Sequence, residues 1–129
     1  MLRTGIINPA LLHLLARIRH TNTLVIADRG FPFWPQIETV DLSLVDGVPT
    51  VAQVLAAVRA NFVIGKAFAA EEFCAVNPPD AVSALRVALG ETPLQFEPHV
   101  EFKKRVPHAI GLIRTGDATH YANLILESA

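Results

Sequence analysis

The stretch 20-HTNTLVIADRGFP-32 decides how this chain folds. Its centre, Leu24-Val25-Ile26-Ala27, is an apolar run with β-branched residues, so Thr23 to Asp28 reads as a buried strand. The segment Arg29 to Gln36 holds a glycine, two prolines and Trp34 and cannot continue it. A histidine, His20, stands ahead of the run and a carboxylate, Asp28, ends it. At ~3.3 Å per residue the ends of such a strand lie ~17 Å apart. The two side chains therefore meet only if the preceding connection folds back along the strand, or if neighbouring subunits bring them together.

Working outward, Asn8-Pro9 is a helix start, with an amide to cap free N–H groups and a proline where it is tolerated; Leu11, Leu15 and Ile18 then share a face. Residues 37–41 alternate as a second strand, and after 46-DGVP-49 the segment 50-TVAQVLAAVRA-60 has the spacing of an amphipathic helix. Phe62 to Ala70 is a strand candidate weakened by Gly65 and Lys66. The segment 77-NPPD-80 introduces a helix over Ala81 to Leu89, closed by Gly90. Leu94 to Glu97 is a short strand, His99 to Val106 a helix, and Ala109 to Arg114 and Asn123 to Leu126 are strands on either side of the loop 115-TGDATHY-121. The alternation predicts one α/β layered domain over residues 1–129, with a mostly parallel central sheet flanked by helices.

Composition narrows the function. Among 129 residues, 51% are apolar and the net charge is −1, so no strong field draws nucleic acid or an anionic membrane. No window approaches the ~18 uninterrupted apolar residues of a membrane span, and the N-terminus lacks a signal-peptide pattern, which leads us to expect a soluble, cytoplasmic protein. The single Cys74 cannot form an internal disulfide. So much apolar surface in so small a chain exceeds what one core hides, and subunit interfaces are expected.

Each residue able to do chemistry has a structural alternative. Asp28 sits where α/β sheets present functional side chains, beyond the carboxyl end of a strand, yet an aspartate before Arg29-Gly30 also makes a turn by itself. His20 follows the first helix, where an imidazolium would suit the helix dipole. His13 lies between leucines on a helix, His99 begins a helix after Pro98, and His108 and His120 pair with nothing at metal-ligand spacing, so no metal site is expected. Cys74 is expected to be a small buried residue, and Glu71 and Glu72, as strand neighbours, would point to opposite faces. No glycine-rich nucleotide loop or nucleophile elbow is present.

Taken in order, 20-HTNTLVIADRGFP-32, 45-VDGVPTVAQVL-55, 70-AEE-72, 99-HVEFK-103 and 113-IRTGDATHYANLIL-126 resemble the ribose pyranase and fucose mutarotase family, nearer its ribose branch through the His-Thr-x-Thr-Leu-Val start and the Asp-Gly-Val-Pro segment. The resemblance implies a cofactor-free isomerase that interconverts ring forms of a free monosaccharide, D-ribose first. An L-fucose-type mutarotase or a non-catalytic sugar-binding ring protein is the alternative. It implies His20 as the acid/base residue, Asp28, His99, Tyr121 and Asn123 as the sugar-holding residues, and Lys103 as a lesser candidate. It also implies a ring-shaped homo-oligomer, commonly a decamer of two pentameric rings, with sites near subunit contacts. The chemistry suits these residue types, because ring opening only moves protons and an imidazole with an ordinary pKa of about 6.5 both gives and takes them at neutral pH. The chain departs from the family at Arg19, where a glycine is usual; a left-handed backbone there would cost roughly 1–2 kcal/mol. The 31-FPFWP-35 loop is also bulkier than expected.

Overall fold

The apolar run at the head of the chain forms a central strand. In the computed structural model of the protein, which describes residues 1–129, β1 spans Thr23–Ala27. The side chains of Leu24, Val25, Ile26 and Ala27 are all fully buried. Leu24 and Ile26 enter one apolar cluster and Val25 and Ala27 another, so both faces of the strand are covered. Each of the larger three contributes about 1.5–3 kcal/mol by burial.

Around β1 run α1 (Pro9–Ala16), β2 (Glu38–Asp41), α2 (Val51–Arg59), β3 (Ile64–Ala70), α3 (Glu71–Val76), α4 (Pro79–Leu89), β4 (Leu94–Glu97), α5 (His99–Arg105), β5 (Gly111–Arg114) and β6 (Leu124–Ser128). Helix α1 starts as its sequence predicts, with the Asn8 side chain accepting from the Leu11 N–H at 3.0 Å. Thr50 and Gln53 form a reciprocal capping box at α2. Leu11 and Leu14 of α1, Val54, Leu55 and Val58 of α2, and Leu89 of α4 cover one sheet face; Phe102 of α5, Val106, Phe31 and Ile37 cover the other. No helix is long and apolar enough to cross a membrane.

The sheet is mixed, with five of its six strands pointing one way, as expected, and β6 alone reversed. Its order is β2-β5-β1-β6-β3-β4, with β2–β5, β5–β1 and β3–β4 parallel, while β6 runs antiparallel to both β1 and β3. The cause is the connection between β5 and β6: residues 115–123 are fewer than the dozen or so that a parallel crossover requires. Strand β6 therefore enters from the end at which β5 leaves. Ile26 pairs with Leu124, which brings residue 123 level with the end of β1.

Three local expectations change. Glu71 and Glu72 open α3 instead of ending a strand, Cys74 is exposed on that helix rather than buried, and Arg19 does not take the left-handed conformation. The non-glycine residues with positive φ are Thr21 (65°) and Tyr121 (57°).

Candidate active site

Asp28 leaves β1 half-buried and is held in place by its own carboxylate and by Asn123. Its Oδ1 accepts from the Gly30 N–H at 2.9 Å, the turn that an aspartate before Arg29-Gly30 makes by itself. Its Oδ2 accepts from Asn123 Nδ2 at 3.0 Å, and Asn123 Oδ1 accepts from the Asp28 N–H at 2.8 Å. This reciprocal pair uses one donor and one acceptor of the buried Asn123 amide. Burial raises the pKa of Asp28 above 3.8; hydrogen bonds from Gly30, Asn123 and Phe31 oppose the shift, and the charge of Asp117 adds to it.

His99 is the first residue of α5, and its backbone N–H donates to Glu72 Oε2 at 2.9 Å, which gives α3 its place in the site. The imidazole lies against Tyr121 edge-on at 5.0 Å between centroids, with Phe31 edge-on at 6.1 Å and Phe102 stacked at 5.9 Å. Its Nδ1 is buried with no partner in the chain. Burial and the neighbouring Lys103 lower its pKa below 6.5, against the charges of Glu72 and Asp28, so the ring is neutral at pH 7. A neutral ring can donate from one nitrogen and accept at the other.

These groups line an open cavity of about 480 Å³ at the carboxyl ends of β1, β4 and β5, where an α/β sheet binds its ligands. Four of the five expected residues, Asp28, His99, Tyr121 and Asn123, meet there, together with Lys103. No group of three His, Cys, Asp or Glu side chains converges as a metal site would require. Phe31 and Pro32 supply the apolar part of the wall; Trp34 packs behind Phe31 at 6.3 Å, which explains the heavy 31–35 loop as a support.

His20 is not among them. It lies exposed at the opposite end of β1, in a turn where Arg19 N–H donates to Asn22 Oδ1 at 2.9 Å, Asn22 N–H to the Arg19 carbonyl at 3.0 Å and Thr21 N–H to the Ser128 carbonyl at 3.0 Å. The connection does not fold back along the strand. The capping role considered for His20 belongs to Arg19, whose Nη1 donates to the carbonyls of Ala16 and Ile18 at 2.6 and 3.0 Å.

Sequence reasoning missed Asp117, which also lines the cavity. Its Oδ2 accepts from the Val51 N–H at the start of α2 (2.9 Å), its Oδ1 accepts from the Thr119 N–H (2.9 Å), and its carbonyl accepts from the Arg29 N–H (3.0 Å). The Asp-x-Thr spacing hints at the short-range bond; nothing local announces the link to Val51, 66 positions away.

Residues 1–129 match the model of the RbsD / FucU transport protein family. The chain belongs to this family. Among RbsD/FucU relatives, D-ribose pyranase of Geobacillus kaustophilus is 44% identical over 128 residues, covering 99% of this chain and 93% of that protein. D-ribose pyranase of Enterococcus faecalis is 37% identical over 128 residues, covering 99% and 97%. The structure of Bacillus subtilis RbsD complexed with D-ribose superposes with a TM-score of 0.93 at 35% identity, over 100% of this chain and 98% of that one. The fucose mutarotase of Streptococcus pneumoniae in complex with L-fucose shares the fold, with a TM-score of 0.80 at 19% identity over 95% and 93% of the two chains.

Proposed function

We propose that this RbsD/FucU protein is a D-ribose pyranase, an isomerase that interconverts the pyranose and furanose forms of the free sugar. The observation that carries the reading is the cavity that gathers Asp28, His99, Tyr121 and Asn123, in a chain that matches D-ribose pyranases over nearly its full length. An ionised carboxylate, a neutral imidazole, an amide and a phenol offer directional partners to sugar hydroxyls, while the edge of Phe31 covers an apolar patch of the ring.

The reaction needs protons moved and nothing oxidised, so it calls for no cofactor. The anomeric hydroxyl of the pyranose loses its proton, the bond from C1 to the ring oxygen breaks, and the ring oxygen takes up a proton. The aldehyde is then attacked by the 4-hydroxyl, which gives up its proton as the carbonyl oxygen gains one. We assign this transfer to His20, supplied to the cavity by a neighbouring subunit. The family resemblance carries the assignment; within one chain His20 stands exposed across β1 from the cavity, in a turn fixed by hydrogen bonds, so a neighbour would have to supply it. A ring-shaped homo-oligomer, a decamer of two five-membered rings, would bring the two ends together, and exposed Ile7, Phe33, Leu44, Val45, Val87 and Val100 offer apolar surface for such contacts. A cytoplasmic location accords with the unpaired Cys74.

Saturation-transfer NMR of ribose ring forms tests the reading. Wild type accelerates exchange, and His20→Ala lowers kcat by about 10²- to 10⁴-fold, the usual share of a positioned acid/base group. Acceleration of L-fucose exchange but not of ribose exchange would make the protein a fucose-type mutarotase. Tight ribose binding without acceleration would leave a sugar-binding protein only.

A further inference from the structure

Arg114 ends β5, in register with Ala27 of β1 on one side and Asp41 of β2 on the other. An arginine there would be expected to find a carboxylate, yet none of the four ion pairs of the chain includes it. Its guanidinium donates instead to three backbone carbonyls: Nη1 to those of Asp28 (3.3 Å) and Arg29 (3.2 Å), and Nη2 to that of Pro32 (3.2 Å). All three belong to the segment that forms one wall of the cavity, although Arg114 does not itself line it.

From this geometry we infer that Arg114 is a positioning residue for sugar binding: it clamps the 28–32 turn from beneath and so fixes the Asp28 carboxylate and the Phe31 ring. The other bonds of this segment leave its far end free. The Gly30 and Phe31 N–H groups both bond back to Asp28, and the Arg29 N–H bonds to the Asp117 carbonyl. Only the guanidinium ties Pro32 to Asp28. The planar fork suits the task, because its fixed N–H directions reach carbonyls at both ends of the turn at once, whereas an ammonium is a single point at the end of a flexible stem. A change at Asp28 displaces a sugar partner directly. A change at Phe31 removes the edge contact that holds His99, so one guanidinium governs two sugar-facing groups. Neither is assigned the proton transfer, so loosening the clamp should weaken sugar binding and leave the chemical step nearly intact.

The inference rests on the cavity being the ribose site, and the experiment separates the two. Ribose ring exchange is measured by NMR over a range of sugar concentrations for wild type, Arg114→Lys and Arg114→Gln, with thermal midpoints recorded beside the kinetics. Two variants are used so that a folding failure in one leaves the other to decide. The expected result is a KM raised about tenfold in Arg114→Lys, with kcat within about twofold of wild type, the size expected when bonds from a charged donor are lost. A role confined to stability would lower the midpoint and leave KM unchanged. An active wild type with an unchanged KM in a folded variant overturns the clamp alone. A wild type that accelerates no exchange overturns the ribose reading, and the clamp with it.

Discussion

The two ends of β1 make a single strand serve two unlike purposes. At its carboxyl end, Asp28, Asn123, His99 and Tyr121 come from distant parts of the chain and are held by long-range bonds, such as the reciprocal pair between Asp28 and Asn123. At its amino end, the turn 19–22 carries an exposed His20 and is held by two bonds between Arg19 and Asn22 and by two backbone ties to Ser128 at the end of β6. Each end also contains one of the two non-glycine residues with positive φ, Tyr121 and Thr21, a conformation that costs roughly 1–2 kcal/mol and persists where the surroundings impose it. The contrast teaches that closeness in sequence misleads here. Eight positions separate His20 from Asp28, yet the strand between them keeps them apart, so under the proposed assignment a protomer would hold two halves of a site rather than a whole one.

The carboxyl end should be the more fragile in binding. Asn123→Ala removes both bonds to Asp28 and leaves the Asp28 N–H without its partner; KM for ribose is expected to rise at least tenfold and stability to fall by about 1–3 kcal/mol, read by exchange kinetics and by denaturant unfolding. A normal KM would detach Asp28 from sugar binding.

A second test uses pH. The pKa of His99 is lowered, so the midpoint of its protonation lies below the ordinary 6.5, while the raised pKa of Asp28 makes it accept a proton at a pH above the ordinary 3.8. On acidification, KM for ribose is expected to rise with a midpoint below pH 6.5, and to be rising already before pH 3.8 is reached. A rise centred on 6.5 would make His99 an ordinary imidazole and contradict the assignment.

The smallest effect belongs to the amino end. Thr21→Gly relieves a left-handed threonine and is expected to stabilise the fold by about 1 kcal/mol, a few degrees in Tm, while kcat falls severalfold as the turn bearing His20 loosens. Gains in both would show that the rigidity of the turn has no part in catalysis.

How much of this was legible follows the range of the interactions. Strand β1 could be read because an apolar run buried on both faces is a local signal, and α2 because Thr50 and Gln53 lie three positions apart and cap each other. The direction of β6 could not, since periodicity records which face a side chain takes and not which way a strand runs. Helix α3 escaped because it has six residues and no side-chain cap, and its loss misplaced Glu72 and Cys74. The proposed sugar-holding set came from resemblance to a family; the residues alone left Asp28 and His99 open to structural readings. Asp117 and Arg114 were missed because their partners, Val51 and the 28–32 carbonyls, lie 66 and more than 80 positions away.

Whether the two halves meet between subunits can be measured by mixing. His20→Ala and Asp28→Ala, each expected to be nearly inactive alone, are dissociated together and reassembled at equal ratio, and ribose exchange is followed by NMR. With the acid/base histidine donated by a neighbour, about a quarter of the contacts in a randomly assembled ring pair an intact Asp28 with an intact His20, and activity returns to about a quarter of wild type. If each chain completed its own site, every site in the mixture would lack one residue or the other, and no activity would return.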